Sequence, residues 1–100
     1  MKKFILLYKG PAMAPGALRE LWPKWMEKVG ERMVDMGSPM EHGLSLLDNG
    51  STGDATPLTG YSTIQAETMD EAIELARAHP FLAVSKNGEY SLEVFELTRA

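Results

Sequence analysis

Apolar and polar positions change period several times along the chain, and each change marks an element. Residues 4–8, Phe-Ile-Leu-Leu-Tyr, form an unbroken branched and aromatic run closed by Lys9, Gly10 and Pro11. A short run of this kind, ended by turn formers, predicts a strand that is apolar on both faces. Residues 11–16 read as a loop. From Gly16 to Met36 the period becomes helical. At about 100° per residue Leu18, Leu21, Trp22, Trp25, Met26, Val29, Met33 and Met36 share one arc, with Glu20, Glu27 and Glu31 opposite. Gly37 supplies a left-handed residue after the helix, and Pro39 prevents its resumption. Pro23 breaks the pattern: either it kinks this helix, or it is the first helical residue and 16–21 form a separate turn.

Residues 40–47 read as a second strand, 48–57 as a loop or long hairpin dense in turn formers, and 58–66 as a third strand. Thr68 and Glu71 have the spacing of a capping box, in which the hydroxyl accepts from the Glu71 amide and the carboxylate reaches back. That opens a helix over 70–79, which Pro80 ends by turning His79 out of helical geometry. A loop over 81–89 leads to a fourth strand over 90–97. The order βαββαβ, with right-handed crossovers, predicts an α+β fold of the ferredoxin-like kind: a four-stranded antiparallel sheet with two helices on one face.

Composition narrows this. The 100 residues make one domain, 1–100, and 44% hydrophobic content is enough for a core. Cysteine is absent, which excludes disulfides and thiolate metal sites and suits a cytoplasmic setting. The net charge is −4 with acids and bases interspersed, and no basic patch for nucleic acid is present. The apolar run near the start is too short for a secretory leader, and no stretch approaches the roughly 18 apolar residues of a membrane span. Phosphate-binding glycine loops, a serine elbow and a cysteine nucleophile are all missing. No cofactor is expected. Two scattered histidines do not suggest a metal site.

Helices on one face leave the other face of the sheet open. In the first strand Phe4, Leu6 and Tyr8 point one way and Ile5 and Leu7 the other; in the fourth, Leu92 and Val94 oppose Phe95 and Leu97. An open face carrying apolar residues needs a cover, and a symmetric homodimer supplies one.

The run GYSTIQAETMDEAIELARAHP, followed by GEYSLEVFEL, resembles the YCII-related (YciI-like and DGPF-domain) family. So do the opening KKFILLY and the W-x-x-W helix leading to VDMGSP. The resemblance covers nearly the whole chain and implies a dimeric α+β barrel built from ferredoxin-like subunits. Most members of that family have no assigned reaction; a few relatives are lyases acting on chlorinated aromatic or lactone-like compounds. Two features depart from it. The D-G-P-F signature is missing, and WPKWM stands where one branch carries a helix-one histidine proposed for acid–base work.

The expected topology gathers Tyr8, Trp22, Tyr61, His79 and Tyr90 at one end, with Trp25 one turn below. Aromatic walls with a few polar groups suit a small-molecule pocket. His79 is the candidate general acid or base, and Tyr8 or Tyr61 the candidate donor to a developing oxyanion. The same residues also suit plain roles: core packing for the tryptophans and a helix terminus for His79. Arg32 falls on the apolar arc, able to anchor an anion, pair with Asp35 or reach across a dimer. Asp35 and His42 are expected at the opposite end and make a dyad on paper. The expectation is a small organic molecule bound near the dimer interface, with cofactor-independent lyase- or isomerase-type chemistry open. The alternative is a non-catalytic dimerisation or interaction domain.

Overall fold

The computed structural model describes residues 1–12 and 16–98. Four strands form the main sheet: β1 (Lys2–Lys9), β2 (Met33–Pro39), β5 (Leu58–Ala66) and β6 (Ser91–Leu97), in the order β2-β5-β1-β6. Every neighbouring pair is antiparallel. A separate two-stranded hairpin, β3 (Leu44–Leu46) with β4 (Thr52–Asp54), is inserted between β2 and β5. The helices are α1 (Trp22–Val29), α2 (Met69–Arg77) and α3 (Pro80–Val84). This is an α+β fold with an arrangement compatible with the ferredoxin-like one. No helix among the described residues is long and apolar enough to cross a membrane.

Strand alternation builds the core. Phe4, Leu6 and Tyr8 of β1 and Ser62, Ile64 and Ala66 of β5 are buried. Trp25 and Val29 of α1, with Ala72, Leu75 and Ala76 of α2, complete one cluster with them. Trp25 Nε1 donates to the Leu75 carbonyl oxygen at 2.9 Å, tying the two helices together. The opposite face of the sheet carries Ile5 and Leu7, half-buried, and Phe95 and Leu97, 51% and 46% exposed.

Three expectations need correction. The first helix does not run from 16 to 36. Residues 16–21 are a separate turn, and Pro23 lies in the first turn of α1, where its missing N–H removes no hydrogen bond. Gly30, at φ 54°, ends α1 and donates its N–H to the Met26 carbonyl oxygen; a 3₁₀ turn over Gly30–Arg32 then leads into β2. The glycine expected to end the helix, Gly37, sits inside β2 at φ 78°. A Cβ there would lie 1.7 Å from the Tyr61 carbonyl oxygen, so only glycine lets this edge strand close on β5. Second, the edge strand is 33–39 rather than 40–47, since residues 44–46 belong to the hairpin. Third, Pro80 does more than stop a helix. It opens α3 where a loop was expected, because proline is preorganised for a first helical turn.

The elements over 58–66 and 90–97 lie where the alternation places them, β6 beginning one residue later. At α2, Thr68 Oγ1 accepts from the Glu71 amide at 3.2 Å. The other half of the capping box is replaced: the Glu71 carboxylate pairs with Arg32.

Candidate functional site

β1, β5 and β6 present Tyr8, Gly60 and Leu92 side by side, since Tyr8 pairs with both of the others. Beside them lies a cavity of about 550 Å³. Its buried lining comprises Tyr8, Leu18, Trp25, Gly60, Ser62 and Phe81; Trp22 and Met26 extend the wall towards solvent. The last residues of β2 and the two that follow, Ser38 to Glu41, form the facing side, and Tyr61 borders it. Arg19 and Glu41 are the two exposed charged residues of the lining.

The hydroxyls around this space are engaged. Tyr8 OH donates to Ser62 Oγ, and Ser62 Oγ donates to the Met36 carbonyl oxygen at 2.7 Å. Ser38 Oγ donates to the Pro39 carbonyl oxygen at 2.9 Å, Thr59 Oγ1 to the Tyr8 carbonyl oxygen at 3.3 Å, and Tyr61 OH to Asp35 Oδ2 at 3.4 Å. Burial pushes the Tyr8 phenol up to about 12, although the Ser62 hydrogen bond pulls the other way. That phenol stays protonated at neutral pH. Arg19 has no carboxylate within 4 Å among the described residues, so its guanidinium is free to meet a ligand.

His79 is close to the cavity but does not line it. It is fully buried, with Tyr8, Trp25 and Trp22 ring centroids at 4.3, 4.6 and 4.9 Å and Phe81 at 5.2 Å. Its Nδ1 accepts from the Phe81 amide at 3.1 Å, capping α3. The proton of the neutral ring therefore sits on Nε2, which has no oxygen or nitrogen partner. Burial lowers the imidazole to about 3, so it is neutral at physiological pH. Aromatic rings stand between the imidazole and the cavity and its acceptor nitrogen is occupied; of the two roles expected for His79, the one this geometry displays is that of a helix-terminus residue, here as the N-cap of α3.

The remaining expected residues divide. Tyr8, Trp22, Trp25 and Tyr61 do meet at the cavity. Tyr90 does not line it; it packs on Phe81 at 5.2 Å and against Gly10. Asp35 and His42 are not a dyad at the far end. Asp35 lies within β2, opposite Thr63, where it takes the Tyr61 hydrogen bond and accepts from the Gly37 amide. His42 follows the other end of that strand, with its side chain 93% exposed and 3.6 Å from Glu41. Arg32 pairs with Glu71 on α2, neither with Asp35 nor inside the apolar arc.

The sequence reading missed Ser62, Phe81 and Arg19. Ser62 carried a signal, for it shares the buried parity of β5 with Gly60, Ile64 and Ala66, and a polar residue there needs a partner. Phe81 and Arg19 carried none, because both belong to segments read as loop or continuous helix. Among the described residues no three His, Asp or Glu side chains converge where a metal ion could be held. No protein-family model, curated protein or solved structure matches the chain.

Proposed function

We propose that this protein is a YCII-like homodimer that binds a small organic acid, flat and apolar in body, in the cavity between α1 and the end of β2. One observation carries the reading: the cavity is walled by aromatic and aliphatic groups, its hydroxyls are committed to protein acceptors, and Arg19, with no carboxylate within 4 Å among the described residues, stands at its opening. Shape and apolar contact select the body of the ligand, and the guanidinium selects a carboxylate. Binding without turnover follows from the position of His79, since the imidazole that would serve a lyase- or isomerase-type step lies behind the wall. The bare apolar residues of the open sheet face support the homodimer, as does the resemblance of GYSTIQAETMDEAIELARAHP to YCII-related chains.

Tryptophan fluorescence tests this directly, because both tryptophans line the cavity. A panel of naphthoates and phenylacetates, each with its neutral alcohol, is titrated into the protein. Some carboxylates should change the emission saturably. Arg19→Gln should weaken them about tenfold, the worth of one charged hydrogen bond, and leave the alcohols unchanged. A flat response across the panel would refute the binding reading and favour a pure assembly domain. Sedimentation velocity of the unmodified chain tests the homodimer separately.

A further inference from the structure

The hairpin of β3 and β4 stands apart from its own subunit. Its strands pair through Leu44 with Asp54 and Leu46 with Thr52, and they pack on no other strand or helix to a comparable degree. Leu44 and Leu46 are 74% and 77% exposed, more than any other large hydrophobic residue among those described. Two residues apart, they share one face of the strand. An isolated two-stranded hairpin is marginal in water, and a lone subunit gains nothing by holding two leucines outward on it. The root of the hairpin is also bent at a cost. His42 adopts a φ of 54°, in the left-handed region, a conformation that surrounding contacts ordinarily maintain. Here the His42 side chain is 93% exposed, its Nε2 lying 3.6 Å from the Glu41 carboxylate.

We infer that this arm lies across the open sheet face of a second copy of the chain. Charge favours that occupant. Along the open face β1 reads Lys3-Ile5-Leu7-Lys9, an apolar pair between two ammonium groups. The arm offers the reverse: Leu44 and Leu46, with Asp54 across the strand pair and Glu41 at the root. From Met33 to Ala76 the chain has no lysine or arginine, so two arms repel one another. Lys9 is already paired with Glu93 at 3.2 Å, whereas Lys3 has no carboxylate within 4 Å among the described residues.

Area favours it too. Four strands about 4.8 Å apart, seven to nine residues long at about 3.3 Å each, present a face of roughly 500 Å². A stable interface covers about 800 Å² per partner, and the arm supplies what the sheet lacks. Because Met40 and Glu41 at the arm's root line the cavity, the docked arm also sets part of the cavity rim.

The inference rests on the homodimer proposed above, and the experiment separates the two. The chain has no cysteine, so introduced thiols report unambiguously. Tagged Leu46→Cys is mixed with untagged Phe95→Cys or Leu7→Cys, re-equilibrated and oxidised, with Glu74→Cys on the helical side as control. A tagged–untagged disulfide should form with the sheet-face thiols and not with the control. In parallel, Leu44→Ser with Leu46→Ser should raise the dimer dissociation constant at least tenfold by sedimentation velocity, with the circular dichroism spectrum retained. An unmodified chain that sediments as a monomer removes the homodimer, and the arm contact with it. An intact dimer with an unchanged constant in the arm variant and no mixed disulfide overturns the arm contact alone. Disulfides between two Leu46→Cys chains only would also overturn it, showing arms that meet each other.

Discussion

The buried imidazole of His79 makes the stability of this protein depend on pH from about 6.5 downward, a loss that begins above the carboxylate range. In the folded chain His79 stays neutral down to about 3, against 6.5 for the free side chain, because burial excludes the charged form. The unfolded chain takes up a proton as the pH falls through 6.5; the folded chain does not. Unfolding is therefore favoured progressively below pH 6.5, and the loss levels off only near pH 3. Between pH 7 and pH 5 this one residue removes about 2 kcal/mol of stability. The perturbation is His79→Asn, whose side-chain oxygen can still accept from the Phe81 amide but does not titrate. The variant should be less stable at pH 7, since asparagine leaves part of the ring's space empty. Its stability should nevertheless fall by about 2 kcal/mol less than the parent between pH 7 and pH 5. Urea unfolding at fixed protein concentration in both buffers measures the difference. Parallel losses in the two proteins would refute the reasoning, as would a His79 ring resonance that titrates above pH 5.

Other substitutions probe the remaining supports. Gly37→Ala forces a Cβ onto the Tyr61 carbonyl oxygen at a positive φ, and should cost more than 1 kcal/mol in urea unfolding, with amide exchange rising first along β2. Trp25→Phe removes the indole donor to Leu75 and leaves a buried carbonyl oxygen unpaired, for a loss of about 1–3 kcal/mol by thermal or urea denaturation. Thr68→Ala deletes the cap of α2 and should lower stability by about 1 kcal/mol, recovered in Thr68→Ser. Arg32→Ala separates a pair whose side chains are 34% and 29% exposed, and should cost no more than about 1 kcal/mol, less at high salt.

Local period was enough to read β1, β5, β6 and α2, because each is long, alternating or capped in a way that needs no distant partner. The alternation in 58–66 put Gly60, Ser62, Ile64 and Ala66 on one face, and that face is the buried one. The same patterns brought Tyr8, Trp22, Trp25 and Tyr61 to one cavity. They also left an apolar open face visible before any tertiary contact was known.

The rest required the fold. Met33 to Met36 fit a helical arc as well as a strand, and local period carried the expected helix past Gly30 to Gly37. What decided between helix and strand was the free edge of β5, whose backbone groups need partners that a longer helix would not supply. Once residues 33–39 paired there, Asp35 moved to Tyr61, Arg32 to Glu71, and residues 44–54 were left over as an arm. His79 shows the same limit at the scale of one side chain. The sequence alone placed it among aromatic residues. Whether the imidazole faced the cavity or turned inward depended on the Phe81 amide and on four rings brought together from separate segments.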